Sequence, residues 1–202
     1  MSELKLGVLA SGGGTNFQAI VDRIERKELA AQVAILVTNN PQAFALQRAM
    51  KHGIPTKVID HHGFADREAF ERALIDELDA RQVGLVCLAG FMRLLSASFI
   101  REFPNRILNI HPSLLPAFPG LDAQHQALAH GVKITGCTVH FVDEDLDAGP
   151  ILIQAAVPVL NDDTVEALSA RILREEHRIY SEAIRLALAG AYRVEGRRIV
   201  FC

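Results

Sequence analysis

Tryptophan is absent from these 202 residues, tyrosine occurs twice and cysteine three times. Without an indole, any flat ligand must be held by other groups. Cys87, Cys137 and Cys202 make an odd count with no C-x-x-C spacing, so they read as reduced thiols of a cytoplasmic protein, two of them in the core. Net charge is also scarce. A formal balance of -3 offers no footprint for nucleic acid and no patch for an anionic membrane. Long apolar runs are missing too. Met1-Ser2-Glu3-Leu4-Lys5-Leu6 has no basic leader region, and the run after it breaks at Ser11-Gly12, too early for a signal sequence or a membrane span. There is no repeat, no low-complexity tract and no long charge block. What the chain does have is hydrophobic residues, 50% of the total, enough for one substantial core; we read 1–202 as a single domain.

Those residues fall into alternating strand and helix patterns. Leu6 to Ala10 is a short continuous apolar run, the signature of a strand buried on both faces. Ser11-Gly12-Gly13-Gly14-Thr15-Asn16 follows, and then Phe17, Ile20, Val21 and Ile24 recur at helical spacing. Val33 to Val37 is the next strand, and Asn39-Asn40-Pro41 is expected to cap a helix over about 42–52. Lys57 to Ile59 is a brief strand. Ala65 to Leu78 is a helix with Phe70, Leu74, Ile75 and Leu78 on one face. Val83 to Ala89 is another buried strand, followed by Gly90-Phe91-Met92-Arg93-Leu94-Leu95 and a short helix over about 96–102. Beyond a further strand that ends near Asn109, Leu121 to His130 reads as a helix. Ile134 to Val142 and Ile151 to Val157 are strands joined by a link short enough for a hairpin. A long helix over about 165–188 ends at Gly190, and Arg198 to Phe201 is expected to add an edge strand. This order predicts an α/β fold with a doubly wound, mostly parallel sheet, Rossmann-type in its N-terminal half. The late hairpin makes the sheet mixed, and a long C-terminal helix closes the fold.

Several stretches carry polar groups suited to chemistry. The glycine loop lets backbone N–H groups converge where the helix N-terminus adds partial positive charge, so it can cradle a phosphate. It can equally be a tight turn with no ligand. The G-x-G-x-x-G test fails because Phe17 stands at the third glycine, and the second strand ends in Thr38-Asn39-Asn40 with no acid for a ribose hydroxyl. No Lys-Ser or Lys-Thr follows either, so a phosphate monoester fits better than a dinucleotide or ATP. His61-His62 lies in a polar loop with no third ligand nearby, and it reads as solvated rather than metal-binding. Arg67 sits in the first turn of its helix, where a cation opposes the helix dipole and hints at an anionic partner. Phe91, Met92, Leu94 and Leu95 are either core or the wall of a ligand site at a strand's C-terminal end. The acidic stretch Asp143-Glu144-Asp145-Leu146-Asp147-Ala148-Gly149-Pro150 resembles a calcium loop at first, but its glycine comes one place late and Gln154 holds the twelfth position.

Asn109-Ile110-His111-Pro112-Ser113-Leu114-Leu115-Pro116 is the most informative stretch. Residues two apart on a strand share a face, so a carboxamide and an imidazole project together from a strand end before a stiff proline-rich loop. The same words also describe an ordinary polar strand end and turn. Ser113 is not in a nucleophile elbow, so Asn, His and a carboxylate such as Asp147 suggest direct transfer through a tetrahedral intermediate. All these candidates are expected at one edge of the sheet.

Asn109-Ile110-His111-Pro112-Ser113-Leu114-Leu115-Pro116, with Pro119-Gly120 and Asp147-Ala148-Gly149-Pro150, resembles the folate-dependent formyltransferases, and the likeness covers nearly the whole chain. The resemblance implies a phosphate-binding half over about 1–105 and a folate and catalytic half over about 106–202. It implies an enzyme that moves the formyl group of 10-formyltetrahydrofolate to the amine of 5-phosphoribosylglycinamide in purine synthesis, without a metal, as a monomer or homodimer. By the same resemblance Asn109, His111 and Asp147 are the catalytic trio. Gly14, Thr15, Asn16 and Glu176 would hold the ribonucleotide. Arg67, Met92, Arg93, Leu94 and Leu95, with Asn109 and Asp143, Glu144, Asp145, Leu146 and Asp147, would receive the folate. Three departures stand out: Gly13 where the family often has a polar residue, Thr15 where serine is common, and Leu121-Asp122-Ala123-Gln124-His125, which is not a close match to the family. Three rivals remain. A formyltetrahydrofolate hydrolase would usually show His-His-Ser-Phe and an added regulatory domain. A methionyl-tRNA formyltransferase would need a basic RNA-binding extension. A silent binding module would keep the glycine loop without needing the trio.

Overall fold

The computed structural model describes residues 4–202; Met1 to Glu3, the start of the stretch read above as lacking a basic leader, lie outside the described residues. Among the described residues, nine strands and six α-helices follow one another in the expected order, with one strand, over 192–195, that was not expected. They are β1 (Leu4–Leu9), α1 (Thr15–Glu25), β2 (Ala31–Thr38), α2 (Ala45–Lys51), β3 (Thr56–Val58), α3 (Arg67–Ala80), β4 (Leu85–Leu88), α4 (Ala97–Glu102), β5 (Ile107–His111), α5 (Ala123–Ala129), β6 (Ile134–Phe141), β7 (Ile151–Pro158), α6 (Val165–Ala189), β8 (Tyr192–Glu195) and β9 (Arg198–Phe201). Seven strands form one mixed, mostly parallel sheet in the order β3-β2-β1-β4-β5-β6-β7. The chain divides into two compact units, one up to Leu108 and one from Asn109 on.

In the first unit β1 pairs in parallel with β2 and with β4, and β2 pairs in parallel with β3. Leu6, Val8, Leu9, Ile35, Leu36, Val86 and Cys87 are completely buried, as continuous apolar runs in a covered parallel sheet should be. The chain runs outward from β1 to β2 and β3, then returns to place β4 on β1's other side. This reversal leaves a switch point beyond the C-terminal ends of β1 and β4, the place where open α/β sheets bind ligands. The glycine loop follows β1 and the Gly90 loop follows β4.

In the second unit β6 and β7 pair antiparallel from Ile134 with Pro158 to His140 with Ile151, which is the expected hairpin. Gly149 is required where the hairpin closes: a Cβ there would lie 1.9 Å from the Phe141 carbonyl oxygen. Thr164 caps α6 through its side chain, which accepts from the Ala167 N–H, and Gly190 ends the helix in the left-handed conformation. Its buried stripe includes Leu168, Ile172, Ile179, Ala183 and Ile184.

Three local expectations need correction. Asn39 and Asn40 do not cap α2, which begins later, at Ala45, with Phe44 at its N-cap. Asn40 instead accepts from the Gln42 N–H in a turn of its own, and both side chains reach Ser11. Arg198–Phe201 does not extend the main sheet; β9 pairs with β8 in a separate two-stranded sheet. The His61-His62 pair does have a third neighbour. Asp60, immediately before it, sits 2.8 Å from His62 Nδ1 and 3.6 Å from His61 Nδ1.

Candidate active site

The glycine loop, at the switch point of the first unit, is held by backbone and side-chain bonds. Gly14 is the N-cap of α1 with φ at 68°, and no side chain caps that helix. A Cβ on Gly14 would meet the Cβ of Ala45 at 2.7 Å, so sterics and φ both demand glycine. Thr15 opens the helix, and Asn16 is buried in its first turn. Ser11 joins this loop to its neighbours. Its N–H donates to the Gly90 carbonyl at 3.0 Å, and its hydroxyl donates to Asn39 at 2.6 Å and accepts from the Met92 N–H at 2.8 Å.

The Gly90 loop is not mainly core. Met92 and Leu94 are 70% and 68% exposed, an unusual fate for two large apolar side chains at a strand's C-terminal end. Arg93 lies over the Phe70 ring at 5.9 Å. Arg67, the cation that looked misplaced, has local partners: Glu71 at 3.0 Å and the Leu94 carbonyl at 2.7 Å. Glu71 is itself buried and also accepts from the N–H and hydroxyl of Ser96, the N-cap of α4. A carboxylate of α3 thus pins both Arg67 and the end of the Gly90 loop.

In the second unit, β5 delivers Asn109 and His111, and the loop after β6 delivers Asp147. His111 and Asp147 are nearly buried, with Nδ1 and Oδ2 3.4 Å apart. The other ring nitrogen of His111, Nε2, donates to the Phe118 carbonyl at 2.8 Å. Asp147 holds a backbone φ of 50°, which is uncommon outside glycine, and its Oδ2 accepts from the Gly120 N–H at 2.8 Å. Its carboxylate is therefore aimed by a backbone clamp, with His111 within ion-pair reach.

His140 is the residue the sequence reading missed. It lies in β6, 2% exposed, and donates from Nδ1 to the Phe141 carbonyl at 2.9 Å. Its Nε2 is then an acceptor, and Asn109 Nδ2 donates to it at 3.2 Å. Asp147 Oδ1 lies 3.8 Å from the same nitrogen. Burial pushes the His140 pKa down, against smaller opposing effects of the Phe141 carbonyl and Asp147, so the ring stays a neutral acceptor that orients the Asn109 carboxamide. The only sequence signal was a histidine inside the strand expected over 134–142.

The loop after His111 is anchored rather than loose at its start. Thr138 donates to the Ser113 carbonyl at 2.7 Å and accepts from the Leu115 N–H at 3.0 Å, while Gln154 donates to the Leu115 carbonyl at 2.9 Å. Ser113 is fully buried and spends its hydroxyl on the Ala117 carbonyl at 2.5 Å, which agrees with its exclusion as a nucleophile. Asp143 accepts from the Asp145 N–H in a turn, and Glu144, Asp145 and Leu146 are exposed. Glu176 is buried midway along α6. Burial, and then the carboxylates of Glu176 and Glu175, push the Cys137 thiol up to about 12.

The family model described as formyl transferase matches residues 4–184. The chain belongs to the formyl transferase family. It is similar to the phosphoribosylglycinamide formyltransferase of Bacillus subtilis, 44% identical over 91% of this chain and 94% of that protein. It is also similar to the Bos taurus trifunctional purine biosynthetic protein adenosine-3, 47% identical over 94% of this chain, though the chain spans only 19% of that protein's length. Its fold matches the crystal structure of glycinamide ribonucleotide transformylase 1 from Symbiobacterium toebii with a TM-score of 0.96 and 54% identity, covering 98% of this chain and 93% of that one. Among the described residues, no helix is long and apolar enough to cross a membrane.

Proposed function

We propose that this chain is a cytoplasmic enzyme that transfers the formyl group of 10-formyltetrahydrofolate to the amine of 5-phosphoribosylglycinamide, giving formylglycinamide ribonucleotide and tetrahydrofolate in purine biosynthesis. The observation that carries the chemistry is the buried His111–Asp147 pair at 3.4 Å, beside an Asn109 carboxamide held by a neutral His140. The substrate amine attacks the formyl carbon, and the carbonyl oxygen becomes an oxyanion. Asn109 and His111 donate hydrogen bonds to it, with His111 Nε2 exchanging the Phe118 carbonyl for the reacting oxygen. The proton lost by the amine passes to folate N10, the bond between N10 and the formyl carbon breaks, and the oxyanion collapses to the new amide. Asp147 orients the His111 ring and stabilises positive charge on it while the proton is in transit.

In the first unit, Gly14, Thr15 and Asn16 take the phosphate at the start of α1, and Arg67 and residues Met92 to Leu95 contribute to folate binding. The exposed apolar side chains of Met92 and Leu94 support that assignment. In the second unit, Asp143 to Leu146 contribute to folate binding, and Glu176 holds the ribose or amine side of the ribonucleotide. The test is tetrahydrofolate release by the purified protein with and without 5-phosphoribosylglycinamide. Release that needs the ribonucleotide and yields one formylated product per tetrahydrofolate is expected. Release without it, with formate appearing, would make the protein a hydrolase and overturn the transfer reading.

A further inference from the structure

We propose that Arg48, a residue of α2, is the positioning residue that shapes the glycine loop for a phosphate. This inference rests on the reading of Gly14, Thr15 and Asn16 as the phosphate site. Two consecutive carbonyls of the loop are held from the same side. The Ala45 N–H donates to the Gly12 carbonyl at 3.1 Å, and Arg48 Nε donates to the Gly13 carbonyl at 2.8 Å. In a planar trans peptide the C=O and the following N–H point in opposite directions. Fixing those two carbonyls toward α2 therefore aims the N–H groups of Gly13 and Gly14 the other way. A run of such N–H groups at a helix start is what an anion needs.

Arg48 is itself held in place. Its guanidinium lies 5.1 Å over the Phe44 ring, and Nη1 reaches Gln18 Oε1 at 3.4 Å. Gln18 is fixed in turn by Asp22 at 2.8 Å and His52 at 2.9 Å, and Glu25 holds the other side of the His52 ring at 2.6 Å. The aliphatic arm passes the loop closely, with Arg48 Cδ 3.6 Å from where a Gly14 Cβ would be. The arrangement explains a puzzle of the sequence: three successive glycines are conformationally free, and a phosphate site built from them alone would lose that freedom on binding. A cation that grips the loop from behind removes part of that cost in advance and adds favourable charge. A lysine carries the charge but lacks the planar fork needed to hold Gly13 and Gln18 together.

The experiment is steady-state kinetics and calorimetric binding of ribose 5-phosphate with Arg48→Met, Arg48→Lys and Gly14→Ala. For Arg48→Met, the KM for 5-phosphoribosylglycinamide should rise about 10- to 100-fold, the scale of a charge-assisted hydrogen bond. Its kcat and its KM for 10-formyltetrahydrofolate should stay within about twofold, since uniform binding is what is lost. Ribose 5-phosphate should weaken in parallel, and Arg48→Lys should recover only part of the loss. A purely structural role would instead lower thermal stability and affect both substrates alike, and that result would overturn the inference. If Gly14→Ala weakens phosphate binding while Arg48→Met does not, the inference fails and the loop reading stands. If neither variant weakens it, the loop reading fails and takes the inference with it.

Discussion

Replacing Glu71 should damage the first unit more than its position on a surface-lying helix suggests. The carboxylate is 3% exposed and serves three donors: Arg67 Nε at 3.0 Å, the Ser96 N–H at 2.8 Å and the Ser96 hydroxyl. Glu71→Ala strands the Ser96 N–H, at about 1–3 kcal/mol, and removes a hydrogen bond to a charged acceptor from the serine hydroxyl, at about 1.5–3 kcal/mol. Arg67 is about half exposed, so its ion pair is screened and adds only about 0–1 kcal/mol. The expected loss is about 2.5–7 kcal/mol. Glu71→Gln keeps an acceptor for the N–H and should lose about 1–2 kcal/mol. Urea unfolding with an unchanged slope reads both. The same variants free Arg67 from the geometry in which it donates to the Leu94 carbonyl, so the KM for 10-formyltetrahydrofolate should rise several-fold. An alanine variant within about 0.5 kcal/mol of the parent would refute the argument, because it would mean the three donors find water or other partners without cost.

Three further outcomes are expected. His140 has a lowered pKa in the folded protein, so below the ordinary histidine value of about 6.5 the unfolded chain takes up a proton that the native ring refuses, and stability falls with acid. Chemical denaturation between pH 8 and 5 should show that loss, at up to about 1.4 kcal/mol per pH unit, and His140→Gln should flatten it by one proton's worth; identical slopes would refute the neutral acceptor. Asp147→Asn keeps the shape near His111 but removes the charge, so kcat should fall about 10²- to 10³-fold with the KM for 5-phosphoribosylglycinamide little changed, and a fall of less than about fivefold would remove Asp147 from the chemistry. Cys87 and Cys137 are buried and Cys202 is exposed, so a thiol reagent at pH 8 should label only Cys202 until urea is added; labelling of Cys137 in the native protein would contradict the thiol's upward shift to about 12.

Much of the fold was readable because it depends on local patterning. The apolar runs at Leu6 to Ala10 and Val83 to Ala89, short and bounded by turn residues, read as strands covered on both faces, and the period of the 165–188 stretch reads as a long amphipathic helix. The alternation of those elements determined a parallel sheet, and the period of two along a strand placed Asn109 and His111 together. The glycine loop announced itself through three residues that few other structures need in a row. The element ends were less legible. Asn39 and Asn40 have the chemistry of a helix cap, but the Ser11 hydroxyl occupies the Asn39 side-chain oxygen and the Gln42 N–H occupies that of Asn40, so neither caps α2, which starts later.

What only the tertiary structure decided is which polar groups meet across distant parts of the sequence. His140 sits among apolar neighbours in its strand, and Glu71 stands between Phe70 and Arg72 in a helix where its partner Arg67 is local but Ser96 is not. Their roles come from Asn109 and Asp147 in one case and from Arg67 and Ser96 in the other. The same holds for Met92 and Leu94, whose exposure depends on what the rest of the fold leaves uncovered. Periodicity is a property of a few adjacent residues, and a strand or helix must satisfy it before anything else forms. A hydrogen bond between buried side chains is set by the packing of whole elements, and that packing also keeps His140 neutral and holds the Asp147 carboxylate beside His111.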